Sequence, residues 1–303
     1  MSISKDAKLQ TDRDAIIGRS NPGGNLPPSN PAATPPSPRR FVFTGTPGPL
    51  ARFAPDPPTT LTVNYQKDQA SLSSYVTDAV RALWDQHIDP DNFSASWKDV
   101  GAVIKVLIAE SYMGSAEDAA DYYRNIKVVN NLSLPRMHAS PLDVRHLSRM
   151  AGSVAQGTFY HHLNTKGEDP ASASEKARNT MSGAGARFAL NGARNTILNA
   201  VARDPDATGW DRMLEPMGAC SYCAMQAAKG PFKPGKMGFR AHDYCKCLPV
   251  PILRGRSPSA GIADNTELQD QWNKITETAT GQDARAAWEE YWRGHGSGQS
   301  SAA

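Results

Sequence analysis

Residues 220–247 read CSYCAMQAAKGPFKPGKMGFRAHDYCKC and hold all four cysteines of the 303-residue chain. With His242 the pattern is C-x2-C-x18-H-x2-C-x-C. Cys220 and Cys223 suit a tight knuckle turn, and His242, Cys245 and Cys247 bring further soft donors one loop away. Such a segment offers a zinc ion four N/S ligands without help from a distant part of the chain. Five candidates compete for four places. In a regular strand Cys245 and Cys247 would face opposite ways. One of His242, Cys245 and Cys247 is therefore expected to stand outside the ligand set, and the spacing does not say which.

Disulfides are the weaker reading. The first residues, MSISKDAKLQTDRD, are polar and carry no apolar signal segment, so synthesis in a reducing cytosol is expected. A redox role for Cys220-Ser221-Tyr222-Cys223 would call for a βαβ unit, and none precedes it. A catalytic zinc is disfavoured as well. There is no H-E-x-x-H, and no H-x-E paired with P-C-x-x-C. Asp243 is the only acid near the cluster and reads as a partner for a ligand. A structural zinc should supply roughly 10 kcal/mol or more to a small segment. Its removal is expected to melt residues 210–255 before the helices.

Working outward, apolar residues make up 39% and charged residues 21%, a balance that fits a globular body with disordered additions. The net charge of +3 is too small to argue for nucleic acid by itself. No apolar run approaches the roughly 18 residues of a membrane span. Residues 1 to about 60 hold 12 of the 23 prolines and read as a disordered Pro-rich arm. Within that arm FVFTGTPGPLARF, Phe41 to Phe53, is apolar enough to dock on a neighbouring subunit or to serve as a plain linker.

Residues 61–208 carry helical periodicity. Leu72, Val76, Ala79, Val80, Leu83 and Trp84 share one face of a first helix, which Asp89-Pro90 stops. A second helix runs from about Ala95 to Met113 on Trp97, Val100, Ile104, Leu107 and Ile108. Ser115-Ala116-Glu117-Asp118 resembles a capping box opening a third. Ser140-Pro141-Leu142-Asp143 reads as the start of a helix reaching about Leu163, with Ser140 as N-cap. Asp169-Pro170 starts a long helix to about Arg203, which Asp204-Pro205-Asp206 ends and whose MSGAGARFALNGA middle admits close approach of a neighbour. Residues 209–256 lose the helical period and read as two or three short strands around the knuckle. Residues 257–293 hold two helices, Glu267 to Ala279 and Gln282 to Arg293. Their Trp272, Ile275, Trp288, Tyr291 and Trp292 form an aromatic face best read as core. Residues 294–303 are a flexible tail. The expected class is mainly α: a helical bundle, then a small zinc-knuckle-like α+β region, behind a disordered Pro-rich N-terminus.

Several stretches carry a resemblance. Gly209 to Arg212 (GWDR), Cys220 to Met225 (CSYCAM), Lys229 to Pro231 (KGP), Ala241 to Cys247 (AHDYCKC) and Pro249 to Pro251 (PVP) resemble the MuF-like minor head proteins of tailed phages, especially those of actinobacterial phages. LSSYVTDAVRALWDQHIDPDNFSASW and SAEDAADYYRNIK are similar to their N-terminal bundle. The resemblance covers about residues 65 to 255 and is most specific in the Cys/His region. It implies a virion protein, assembled in the host cytoplasm and held inside the capsid near the portal. It would assist head morphogenesis there, with the portal protein or the major capsid protein as partner. Cys220, Cys223, His242, Cys245 and Cys247 match the family's Cys/His motif, and no catalytic role comes with them. Some relatives carry a protease or a toxin-like enzyme, and neither end of this chain looks like such a fusion.

Two further classes stay in view beside this non-enzymatic reading. Lys229, Lys233, Lys236, Arg240, Lys246, Arg254 and Arg256 surround the knuckle, as a zinc-knuckle protein contacting packaged DNA would require. Alternatively, Cys245 with His242 suggests a thiol-dependent hydrolase or capsid maturation protease. No G-x-S-x-G motif is present, and His161-His162 reads as a solvated or half-buried pair.

Overall fold

The computed structural model describes residues 57–134, 136–215, 219–235, 238–256 and 263–295. The expected Pro-rich arm up to residue 56, Phe41 to Phe53 included, and the tail beyond residue 295 lie outside them. The first helix, α1, spans Pro57–His87 and so begins before Leu61. Its buried stripe runs through Tyr65, Val76, Val80 and Trp84, while Leu72, Ala79 and Leu83 flank it half-buried.

The second and third expected helices are one, α2, spanning Phe93–Val129. Ser115 is not a cap. It is fully buried, donates to Gln69 Oε1 at 2.6 Å and accepts the Ala193 N–H at 3.1 Å. The Gly114-Ser115 pair reads as a break, but the small residues here form a packing seam. α3, Val144–Tyr160, starts one turn later than expected because Asp143, not Ser140, accepts the His146 N–H at 2.9 Å. Ser140 is occupied elsewhere, its N–H donating to Thr196 Oγ1 at 2.9 Å and its hydroxyl accepting from Asn199 Nδ2 at 2.7 Å. Leu147, Ala151, Ala155 and Phe159, each four apart, face inward. Leu142 precedes the helix, and Met150 and Val154 lie only half-buried. The chain continues as a π-helical turn, His161–Thr165.

α4, Pro170–Arg203, begins and ends where its caps predict, at Asp169 and Asp204. It is buried all round at its middle and packs against α1, α2 and α3, which makes it the central helix. The approach to α2 is close enough that a Cβ on Gly192 would collide with the Tyr112 carbonyl oxygen. At the far end, Lys127 is inaccessible and pairs with Asp204 at 2.8 Å and Asp206 at 2.6 Å. Tyr123 adds its hydroxyl to Asp204 Oδ2 at 2.9 Å.

Two strands follow, β1 (Ala207–Met213) and β2 (Leu248–Leu253), antiparallel with Trp210 opposite Pro251 and Arg212 opposite Pro249. Proline is tolerated because the sheet has only two strands. Trp210 exchanges its backbone hydrogen bonds with Phe232 instead, at 3.0 and 2.8 Å, so it needs no donor from Pro251. Of the two or three short strands expected, two form among the described residues, and residues 238–242 are irregular. Trp210, Met213, Leu248 and Val250 share a core with Tyr123, Ile126, Ile197 and Val201 of the bundle.

Between the strands lies α5, Ser221–Ala228, where a bare turn was expected. α6 (Ala263–Thr278) and α7 (Gly281–His295) close the described chain, each longer than its periodicity predicts. Of their aromatic face only Trp288 is core; Trp272, Ile275, Tyr291 and Trp292 are half-buried and pack against it. Trp288 is fully buried against Ala224, Met225, Ala227 and Ala228, and its Nε1 donates to the Ser221 carbonyl at 2.8 Å.

Candidate metal centre

α5 brings the first two sulfurs. Cys220 is its N-cap, and its Sγ accepts the Cys223 N–H at 3.4 Å. A helix N-terminus favours a thiolate. The Cys220 thiol is pushed down to about 5, first by the hydrogen bond from Cys223, then by the Cys223 N–H and His242, all against burial. Cys223, one turn on, is buried and faces the opposite wall of the site.

That wall is the loop 241–247. His242 Nε2 stands 3.0 Å from Cys220 Sγ and 3.3 Å from Cys223 Sγ. Its Nδ1 lies 2.6 Å from the Asp243 carbonyl oxygen, which can only accept. In the neutral ring Nδ1 therefore carries the proton, and the Nε2 lone pair points at the two sulfurs. Burial acts to lower the His242 pKa, but the Asp243 carbonyl and the Cys220 and Cys245 sulfurs outweigh it and hold it above the usual value. Cys245 Sγ lies 3.5 Å from Cys223 Sγ.

The alternation expected of Cys245 and Cys247 does not occur, because the loop is not a strand. It turns at Asp243 and Tyr244, and Tyr244 sits at φ 63°, in the left-handed region. Both thiols consequently reach Cys223. The donors form two groups, Cys220–Cys223–His242 and Cys223–Cys245–Cys247, each with ligand atoms within 4.8 Å of one another. All five sequence candidates are thus brought together, with Cys223 common to both groups, and the arrangement is compatible with metal binding. His161 and His162 belong to neither group; His162 Nδ1 pairs with Glu168 Oε1 at 2.9 Å.

The loop is clamped to α4 by residues about one turn apart. The Tyr244 hydroxyl donates to the Asn179 carbonyl. The Tyr244 ring covers Gly183, where any Cβ would strike it. Arg187 pairs with the Asp243 carboxylate at 2.8 Å. Asp243 therefore serves the histidine through its carbonyl, while its carboxylate serves the helix. Deeper in, Arg194 Nη2 donates to the carbonyls of Cys245 at 2.6 Å and Cys247 at 3.1 Å, and Nε donates to Cys247 at 3.2 Å. From β1, Arg212 Nη1 lies 3.9 Å from Cys223 Sγ.

Arg194 was not among the sequence candidates. An arginine in an Ala/Gly-rich helix reads as surface until the loop is placed over it. Of the basic residues expected around the knuckle, Lys246 is neutralised by Glu215 at 3.2 Å, and Lys236 lies outside the described residues. Lys229 and Arg240 are exposed, and burial followed by repulsion from Arg240 and Arg285 lowers the Lys229 pKa.

No helix among the described residues is long and apolar enough to cross a membrane. No curated protein and no solved structure matches the chain. The family model for VG15 proteins matches residues 57–275, from the first turn of α1 into α6, and takes in all five donors. That is well over half of the 303 residues, and the chain belongs to the VG15 protein family, a family of phage proteins.

Proposed function

We propose that this phage protein is a structural, non-enzymatic minor component of the head. In this reading it lies inside the capsid near the portal, and a zinc ion ties its ligand loop to its helical bundle. The observation that carries the zinc reading is the convergence of four soft donors on a fifth, Cys223, which lies 3.3 Å from His242 and 3.5 Å from Cys245. Tetrahedral zinc with bonds of about 2.0–2.3 Å sets its ligand atoms roughly 3.3–3.8 Å apart. Cys220 and Cys223 supply two places, and His242, Cys245 and Cys247 contend for the others. The head assignment is supported by membership of a phage family and by the resemblance to MuF-like proteins. Elemental analysis of the purified chain tests the metal, with one zinc per chain expected and none overturning the site. Mass spectrometry of purified heads tests the place. Its absence from them would end the head assignment, and co-purification with portal or major capsid protein is the expected result.

A thiol-dependent hydrolase is the second reading, because exposed Cys220 and His242 make a 3.0 Å pair with a depressed thiol. A bound ion would consume both groups. Alkylation separates the two, since zinc-loaded protein should resist iodoacetamide and chelated protein should react. Rapid labelling of Cys220 in the loaded form would favour the enzyme. Contact with packaged DNA is compatible with the structural role, given the crowding of Lys229, Arg240 and Arg285. Duplex binding that weakens steeply with salt is its signature.

A further inference from the structure

Two arginines lie buried beneath the ligand loop. Arg194 is wholly inaccessible and Arg212 is 1% exposed. A guanidinium stays protonated inside a protein, so each brings a positive charge out of water. Such a charge needs buried negative charge nearby. Among the described residues no carboxylate pairs with either guanidinium. The Nε and Nη groups of Arg194 go to neutral acceptors: the carbonyls of Cys245, Cys247 and Arg187, and the side-chain oxygen of Asn191. Arg212 Nη2 donates to the Arg240 carbonyl at 2.5 Å, and its Nε has no partner. The adjacent acid, Asp211, accepts the backbone N–H of Arg212 at 2.7 Å and not its side chain. What the two guanidiniums do adjoin is the cysteine cluster, Arg212 through the Cys223 sulfur and Arg194 through the backbone of Cys245 and Cys247. Arg212 approaches Cys223, and both lie over the Phe239 ring, at 5.0 Å for Arg194 and 3.7 Å for Arg212. Phe239 in turn packs against Cys223, Cys245 and Cys247.

A dication held by three or four thiolates carries a net charge of about −1 or −2. We propose that Arg194 and Arg212 are the built-in counter-charges of a thiolate-bound dication. Arg194 is in addition a positioning residue, whose fork grips the carbonyls of Cys245 and Cys247 and brings both thiols to Cys223. The inference rests on the metal reading above and adds that the centre's affinity is set from outside its ligands. It also explains why α4 and β1, not the ligand loop itself, supply the buried charges: the short loop has no interior of its own in which to hide one.

The test uses the full chain and Co2+ as the probe metal, with affinity measured by chelator competition and the thiolate-to-cobalt absorption as a second signal. Wild type is measured first, and failure to bind Co2+ or Zn2+ overturns the metal reading and this inference with it. Given binding, R194M should weaken affinity tenfold or more and shift the absorption band. R194K, which restores charge without the fork, should recover part of the loss. Both variants within twofold of wild type would overturn the inference, and R194K no better than R194M would overturn the counter-charge assignment. Should the variants fail to fold, NMR of the unaltered protein decides. The Arg194 and Arg212 Nε–H signals should be protected from exchange in the loaded form and lose protection on chelation. Indifference of both signals to the metal would be fatal to the proposal.

Discussion

Asp118 shows what a residue's neighbours do to its charge. It stands on α2 where burial first, then Asp68, Asp121 and Glu117, push its carboxyl up from 3.8 to about 6. A carboxyl raised on folding contributes stability below its unfolded value and loses it as pH climbs through the folded value. The window here runs from about 3.8 to about 6. Asp118→Asn removes the charge, so it should stabilise the protein at pH 8 by about 1 kcal/mol, the full shift being discounted for partial exposure. The gain should vanish near pH 4. Urea titrations at the two pH values check this, and equal effects at both would show that charge is not the cause.

Among elements, α4 approaches α2 so closely that Gly192 lies on the backbone at Tyr112. Gly192→Ala forces two helices apart and should cost about 3 kcal/mol, toward the upper end for overpacking. Gly114 is also mid-helix, yet nothing stands within 4 Å of a Cβ built there. Gly114→Ala should therefore stabilise by about 0.5–1 kcal/mol through helix propensity. Thermal melts of the two variants should move in opposite directions. The same logic explains why the sequence suggests two helices where the structure has one. Glycine and serine in mid-pattern signal an end when no partner is visible, and a seam when one is.

At the scale of the whole molecule, the loop and the bundle are not separable. Trp210, Leu248 and Val250 share a core with α2 and α4, and Arg194 joins α4 to the ligand loop. The sequence alone suggests that stripping the metal melts residues 210–255 ahead of the helices. The shared core argues for a single transition. Chelation should lower the midpoint of far-ultraviolet circular dichroism and of tryptophan fluorescence together. An early fluorescence transition with unchanged helix melting would restore the expectation of a separate knuckle.

The sequence by itself determined whatever depends on near neighbours. The caps Asp169-Pro170 and Asp204-Pro205, the apolar stripe of α1 and the five donors between Cys220 and Cys247 are all legible, since each signal lies within a few turns or one loop. Only the tertiary structure decided the rest. It alone shows that Ser115 bridges helices instead of capping one, that Cys245 and Cys247 turn the same way, and that Arg194 and Arg212 are interior. Burial of a charge or a hydroxyl is a property of what comes to lie against it, and the Arg194 guanidinium and the Cys247 carbonyl it grips belong to residues 53 positions apart.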